Sequence, residues 1–247
     1  MSQLTVVLVE PAGPLNVGSV ARLIANFSAP DLAIRLHLVA PRCEHLGEEA
    51  LRMAVHGRGV LEQAQLFDNL QQALVGCSRV VACTGRGEGE PLPVRDLEPA
   101  LSWVHQGRDE PAALVFGRED RGLSAFELLQ AGCLLQIPTG PGYRSLNLSH
   151  AVAVVLQQWH QHVVGSAAAA DPAAIALAPR EQVEAMLGDA EELLLAVGFL
   201  YPHTAAARMA KLRALLQRAG MSAEEVALLR GMVRQCRWAA EHPCQTS

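Results

Sequence analysis

The chain has 247 residues, half of them hydrophobic, which suits one large domain or an ordinary domain with a small companion and excludes global disorder. Its net charge is −5, with 20 Lys and Arg against 25 Asp and Glu, so taken whole it lacks the basic balance of a nucleic-acid binder. No apolar run reaches the roughly 18–20 residues of a membrane span, and the first residues lead into a strand-like stretch without a basic region or cleavage signal, so the expected location is cytoplasmic.

In chain order, the β-branched runs Thr5–Val9, Ile34–Val39, Arg79–Thr84, Ala112–Phe116 and Leu134–Ile137 are expected strands, with a weaker one at Ala64–Phe67. Between them the helical period predicts helices at Val17–Asn26, Glu48–His56, Asn69–Val75 (with Asp68 and Gln71 as a capping box), Leu97–His105, Ala125–Ala131 and Leu146–Val164. This alternation predicts an α/β fold, a mostly parallel sheet with helices on both faces. Residues 1–165 are the expected first domain. Residues 166–179, small and bracketed by Gly165 and Pro179, read as a linker. Residues 180–247 carry no strand pattern and read as a small α-helical domain with helices at 180–198, 205–219 and 223–240. Thr204 is the expected cap of the second, Gly220 its stop, and Ser222 with Glu225 a capping box for the third.

Cys43, Cys77, Cys83, Cys133, Cys236 and Cys244 form no C-x-x-C pair, and His160 and His162 fall on different helix faces. Neither a disulfide framework nor a metal site is expected. Charge is unevenly spread: residues 200–240 hold seven basic side chains against Glu224 and Glu225. Arg208, Lys211, Arg213 and Arg218 are therefore candidate RNA contacts, the alternative being an ordinary solvated helix face.

Three glycine-containing segments follow expected strands, where open α/β sheets bind ligands. The first is Asn16-Val17-Gly18-Ser19-Val20-Ala21-Arg22, in which Asn16 is a plausible helix N-cap and Arg22 lies nearly two turns on, so that the two are expected to share a face. The second is Leu114-Val115-Phe116-Gly117-Arg118-Glu119-Asp120-Arg121-Gly122-Leu123, where glycine at the strand end permits close backbone approach. The third, Ile137-Pro138-Thr139-Gly140-Pro141-Gly142-Tyr143-Arg144-Ser145-Leu146-Asn147-Leu148-Ser149, is a loop whose backbone groups could line a pocket for a neutral heterocycle. A phosphate-cradling P-loop is absent, and Gly85-Arg86-Gly87-Glu88-Gly89 is followed by Glu90-Pro91-Leu92-Pro93 where a dinucleotide fingerprint needs a helix.

These three segments, in this order and spacing, resemble the motifs of the SPOUT methyltransferases. Past the linker, Val197-Gly198-Phe199-Leu200, His203, Met209-Ala210-Lys211-Leu212-Arg213 and Leu229-Arg230-Gly231-Met232 resemble the helical extension of the branch that methylates ribose 2′-hydroxyls of tRNA cytidine and uridine in the anticodon loop, at nucleotide 32. The resemblance implies a C-terminal trefoil knot, a homodimer, and S-adenosylmethionine held by Thr84, Gly85, Arg86, Gly117, Ile137, Ser145, Leu146 and Asn147. It implies catalysis by Arg22, facing the cofactor of the other subunit and oriented by Asn16, with Glu119 and Ser145 nearby. A guanidinium is a poor literal base. Fixing the adjoining phosphate or stabilising the developing alkoxide is the preferred role for Arg22, with proton abstraction left open. Three positions depart from the pattern: Gly13-Pro14-Leu15 before Asn16, the carboxylates Glu88 and Glu90 after Arg86, and His56 where a small residue is expected. The competing expectations are methylation of ribosomal RNA or another tRNA position, and a knotted RNA-binding protein without methyl transfer.

Overall fold

The computed structural model describes residues 2–29, 32–85, 92–106, 110–140, 142, 145–165 and 176–242. Seven strands, β1 (Ser2–Val9), β2 (Leu32–Val39), β3 (Gln65–Phe67), β4 (Arg79–Cys83), β5 (Val94–Arg95), β6 (Ala112–Phe116) and β7 (Cys133–Leu135), form one sheet in the order β3-β2-β1-β6-β4-β7-β5. Every pairing within it is parallel. Parallel strands need crossovers, which put helices on both faces, so the central strands lack a polar side. All five residues of β6 are buried accordingly.

The pleat sorts these side chains into two cores. Leu4, Val6 and Leu8 of β1 and Ala112, Leu114 and Phe116 of β6 face one layer, made by α1 (Pro14–Phe27), α2 (Glu48–Ala54), α5 (Leu97–His105) and α7 (Leu148–Gly165). Val7, Val9, Ala113 and Val115 face the other, where α4 (Leu70–Ala73) and α6 (Ala125–Leu128) pack. Two elements escaped the sequence reading, α3 (Arg58–Glu62) and β5. Both are too short to show a period.

Three expected caps move. Asn69, not Asp68, caps α4 by accepting from the Gln72 N–H at 3.0 Å. Helix α1 begins at Pro14, with Gly13 as its N-cap residue, so Asn16 lies inside the first turn with its side chain available for other work. In the C-terminal region, α9 (Pro202–Ala219) begins before Thr204, whose hydroxyl donates back to the Tyr201 carbonyl. Gly220 does stop α9 in a left-handed conformation, and Ser222 with Glu225 forms the capping box of α10 (Ala223–Glu241).

The helices α8 (Arg180–Ala196), α9 and α10 share a core of Met186, Leu187, Leu200, Ala205, Met209 and Val226. They also dock on the sheet. Ala214 is buried in the second core, the Arg180 guanidinium donates to the Leu129 carbonyl at 3.3 Å, and Glu181 accepts from the Gly76 N–H at 3.1 Å. Upstream, Glu110 pairs with the buried Arg79 at 3.3 Å and accepts from the Leu177 N–H at 3.0 Å. Removing these helices would therefore uncover apolar surface of the sheet layer, so truncation mixes a stability effect into any binding measurement.

The basic excess of 200–240 also has a counterweight. Over residues 180–242 there are eight basic and eight acidic residues, because α8 brings five carboxylates. Asp189 pairs with Arg230 at 2.6 Å, Glu192 with Arg237 at 2.9 Å and Glu184 with Arg213 at 2.8 Å. Among the described residues no helix is long and apolar enough to cross a membrane, and no three metal-ligating side chains cluster.

Close packing makes two glycines behave oppositely. A Cβ on Gly18 would stand 2.3 Å from the Ala50 carbonyl oxygen, because α2 rests directly on α1; one on Gly188, inside α8, would meet nothing within 4 Å. Gly18→Ala is expected to destabilise by about 1–3 kcal/mol through overpacking. Gly188→Ala should stabilise by roughly 0.5–1 kcal/mol through helix propensity. Urea unfolding of the two variants checks the opposite signs.

Candidate active site at the carboxyl ends of the central strands

Strands β6, β4 and β7 are neighbours and run the same way, so their carboxyl ends open on one edge of the sheet. Gly117 follows β6, Thr84 and Gly85 follow β4, and Ile137 lies two residues past β7. The Thr84 N–H donates to the Leu135 carbonyl at 2.9 Å, tying two of these ends together. Ile137 packs partly buried against the first core, while Leu146 remains 39% exposed and Ser145 is exposed beside it. Arg86 lies outside the described residues, as do Pro141, Tyr143 and Arg144 of the segment in which a knot is expected.

Glu119 organises this edge. Its carboxylate accepts from the Ala12 N–H at 3.1 Å, the Gly13 N–H at 3.0 Å and the Asn16 side-chain amide at 2.9 Å. Having given its N–H₂ to a carboxylate, Asn16 must offer its carbonyl elsewhere. It accepts there from the Asn147 amide at 3.0 Å. The Asn147 carbonyl oxygen in turn accepts from the N–H groups of Ser149 (2.9 Å) and His150 (3.3 Å) and from the Ser149 hydroxyl (2.7 Å). Asn147 is thus the residue that opens α7, which starts later than the expected Leu146. All three motif segments are joined in one polar chain. Burial pushes the Glu119 carboxyl upward, but the bonds from Asn16 and from the backbone of Ala12 and Gly13 outweigh it and hold the group below its ordinary value.

The loop carrying Glu119 is braced from its own side. A Cβ at Gly117 would stand 2.2 Å from the Gly122 carbonyl carbon and 2.4 Å from the Leu123 nitrogen. The glycine is needed first for the loop to fold back on itself. The charges inside the loop serve the same end. Glu10, at the end of β1 with φ +49°, receives Arg42 and Arg118 at 3.1 Å and Arg121 at 3.4 Å. Arg121 also grips Glu127 at 3.0 Å, and Arg118 grips Asp120 at 2.9 Å. Glu10 and Arg42 were absent from the sequence-level candidates. A carboxylate closing an apolar strand just before Pro11 was the available signal.

Arg22 stands apart from this chain of bonds. Six residues at about 100° each turn it some 240° from Asn16, so the two do not share a face. Arg22 is exposed, and the turn Val55–Gly57 lies against its backbone, where a Cβ at Gly57 would be 2.8 Å from the Arg22 Cα. Of the four C-terminal candidates, Arg208, Lys211 and Arg218 are exposed on α9, and Arg213 is half-buried in its pair with Glu184.

Comparison with known proteins identifies the family. Residues 3–157 match the SpoU rRNA Methylase family, and residues 181–245 match the tRNA methyltransferase TrmJ, C-terminal domain. The tRNA (cytidine/uridine-2′-O-)-methyltransferase TrmJ of Klebsiella pneumoniae is 35% identical over 238 residues, covering 94% of this chain and 96% of that protein. Its counterpart from Cronobacter sakazakii is 33% identical over 243 residues, covering 94% and 95%. The crystal structure of TrmJ from Z. mobilis ZM4 superposes with a TM-score of 0.80 at 30% identity, over 94% of this chain and 97% of that one. The chain belongs to the SpoU methylase family and carries the C-terminal helical domain characteristic of TrmJ.

Proposed function

We propose that this chain is an S-adenosylmethionine-dependent methyltransferase acting on a ribose 2′-hydroxyl of tRNA, in the anticodon loop at nucleotide 32, as a cytoplasmic homodimer. The observation that carries the reading is the polar chain Glu119–Asn16–Asn147, which gathers three sequence-distant motifs at the carboxyl ends of β6, β4 and β7. The named activity of the TrmJ relatives, which align with nearly the whole chain, supports tRNA ribose as the substrate class.

The residues present fit the cofactor. Ile137 and the uncovered Leu146 offer apolar surface to a heterocycle. Thr84, Gly85 and Gly117 offer backbone at the strand ends, and a Cβ at Gly140 or Gly142 would meet nothing within 4 Å, leaving the loop flank open. Arg86, Ser145 and Asn147 complete the proposed set. When bound, S-adenosylmethionine supplies an activated methyl group, so the protein's task is to position the acceptor and favour its deprotonated form. In this reading Arg22, exposed on α1, serves the acceptor of the other protomer by fixing the phosphate and stabilising the alkoxide. Asn16 and Glu119 hold the loop and the start of α7 that carry the cofactor contacts, with Ser145 at the acceptor side.

Incubating the protein with labelled S-adenosylmethionine and unmodified bulk tRNA, then mapping the labelled nucleoside, tests the proposal. A 2′-O-methyl nucleoside at position 32 is expected. Label confined to ribosomal RNA or another tRNA position would move the substrate, and no label on any RNA would overturn the activity. Arg22→Ala should lose transfer while binding the cofactor within a few-fold of wild type; near wild-type turnover would remove Arg22 from the site.

Glu119→Gln is the complementary variant. Its amide must turn an N–H₂ toward the donors that now meet a carboxylate, so transfer should fall by about 10²-fold or more. The linked pH effect has a definite sign. Because the folded-state value of Glu119 is lowered, its stabilisation is complete above the ordinary value of 4.5 and fades as pH falls through the lowered value. Acid unfolding of Glu119→Gln should accordingly be flatter than that of wild type in this window; identical acid profiles would count against the tie.

A further inference from the structure

The turn between α8 and α9 has an unusual surface. Helix α8 ends at Ala196, Gly198 takes φ +76°, and the chain reverses through Leu200, which is buried in the core shared by α8–α10. Anchoring Leu200 inward leaves its neighbours outward: Phe199 is 60% exposed, Tyr201 55% and Val197 52%. The rings have neighbours of their own. Tyr201 and His203 lie nearly parallel, with centroids 5.9 Å apart and planes at 23°. The Arg208 guanidinium sits 5.6 Å from the Phe199 ring centre and donates to the Phe199 carbonyl at 2.8 Å. Lys211, one turn further along α9, is exposed.

Scattered exposed aromatics are ordinary on a protein surface. Two aromatic rings and an imidazole around one corner, with a cation laid over one ring, are less so. The electrostatic setting is also one-sided: from residue 193 to residue 223 the chain contains no Asp or Glu. An aromatic surface edged by cations, on a stretch of chain that carries no carboxylate of its own, is the chemistry that receives unpaired nucleobases, whose faces stack on rings while their phosphates meet guanidinium and ammonium groups. Protein partners of no particular charge do not require that edge.

We infer that the α8–α9 corner, Phe199 and Tyr201 with Arg208 and Lys211 at its rim, is a stacking platform for unpaired bases of the RNA substrate. The inference rests on the proposed function for the identity of that RNA. The platform gives the helical extension a way to favour a loop over a helix, since paired bases have no free face to stack. It also changes the part assigned to the basic residues of α9: Arg208 acts together with an aromatic ring, beyond its charge alone.

The test is fluorescence anisotropy of the full chain with three labelled RNAs: unmodified tRNA, a single-stranded oligouridine, and a duplex of similar charge. Phe199→Ala and Tyr201→Ala should each weaken binding of tRNA and of the single strand by about tenfold, and the double variant by about a hundredfold. Duplex binding should change less than twofold. Phe199→Trp and Tyr201→Phe, which keep a stacking face, should bind as wild type. The platform is overturned if the double variant binds tRNA within twofold of wild type, or if duplex and single strand weaken equally. It is also overturned if light scattering shows that the double variant has changed its oligomeric mass, which would make the corner a subunit contact. Methyl transfer by wild type is read separately: a wild type that binds RNA through the platform but transfers no methyl group refutes the activity and leaves the platform standing.

Discussion

A half-buried carboxylate that must stay ionised is the constraint on which the rest of this site depends. Glu119 can only accept hydrogen bonds in that state, and it has gathered two backbone N–H groups and one side-chain amide to do so. The direction of every later bond follows. Asn16 is forced to show its carbonyl to Asn147, and Asn147 is thereby left to show its own carbonyl to the first turn of α7. Protonating or neutralising the first member would reverse a donor at the head of the chain, and no neighbour can flip without breaking its own partner. Segments more than 100 residues apart in sequence are held in one orientation by a single charge.

The sheet makes this tie possible by bringing the segments to one edge, and the two cores hold the sheet. The second core includes Ala214 of α9, so the helical extension forms part of the fold that presents the site. A buried ion pair reinforces the join. Arg79, 4% exposed at its side chain, lies 5.2 Å from the Trp103 ring centre and pairs with Glu110, which also accepts from the backbone of Leu177. A lone buried charge would be costly. Here each charge has a partner, and the pair fixes the chain where it leaves for α8.

Much of this was legible in the sequence because parallel strands buried on both faces have an unmistakable pattern. Val6–Val9 and Ala112–Phe116 are uninterrupted apolar runs, and their helices carry a clear period. Strand order was not legible, since adjacency in a parallel sheet depends on crossovers that leave no local mark; β6 comes to lie between β1 and β4 for reasons of global packing. Single polar residues misled most. Asn16 and Thr204 have the chemistry of caps, yet proline at the first position of α1 and α9 starts each helix earlier. The same lesson applies to charge. Residues 200–240 look strongly basic until α8 is folded beside them, when Arg213, Arg230 and Arg237 are found facing its carboxylates. The exposed rings of Phe199 and Tyr201 are visible as letters, but only the inward turn of Leu200 shows that they face out.

The most direct test of the central claim is a double-mutant cycle on methyl transfer between Glu119 and Asn147, two residues joined through Asn16. If one polar chain sets the geometry of the site, Glu119→Gln and Asn147→Ala should be strongly non-additive: once either has broken the chain, the second should cost little more, with a coupling of at least about 1 kcal/mol. Strictly additive losses would mean that the two residues act independently, and would contradict the account of the site given by Glu119.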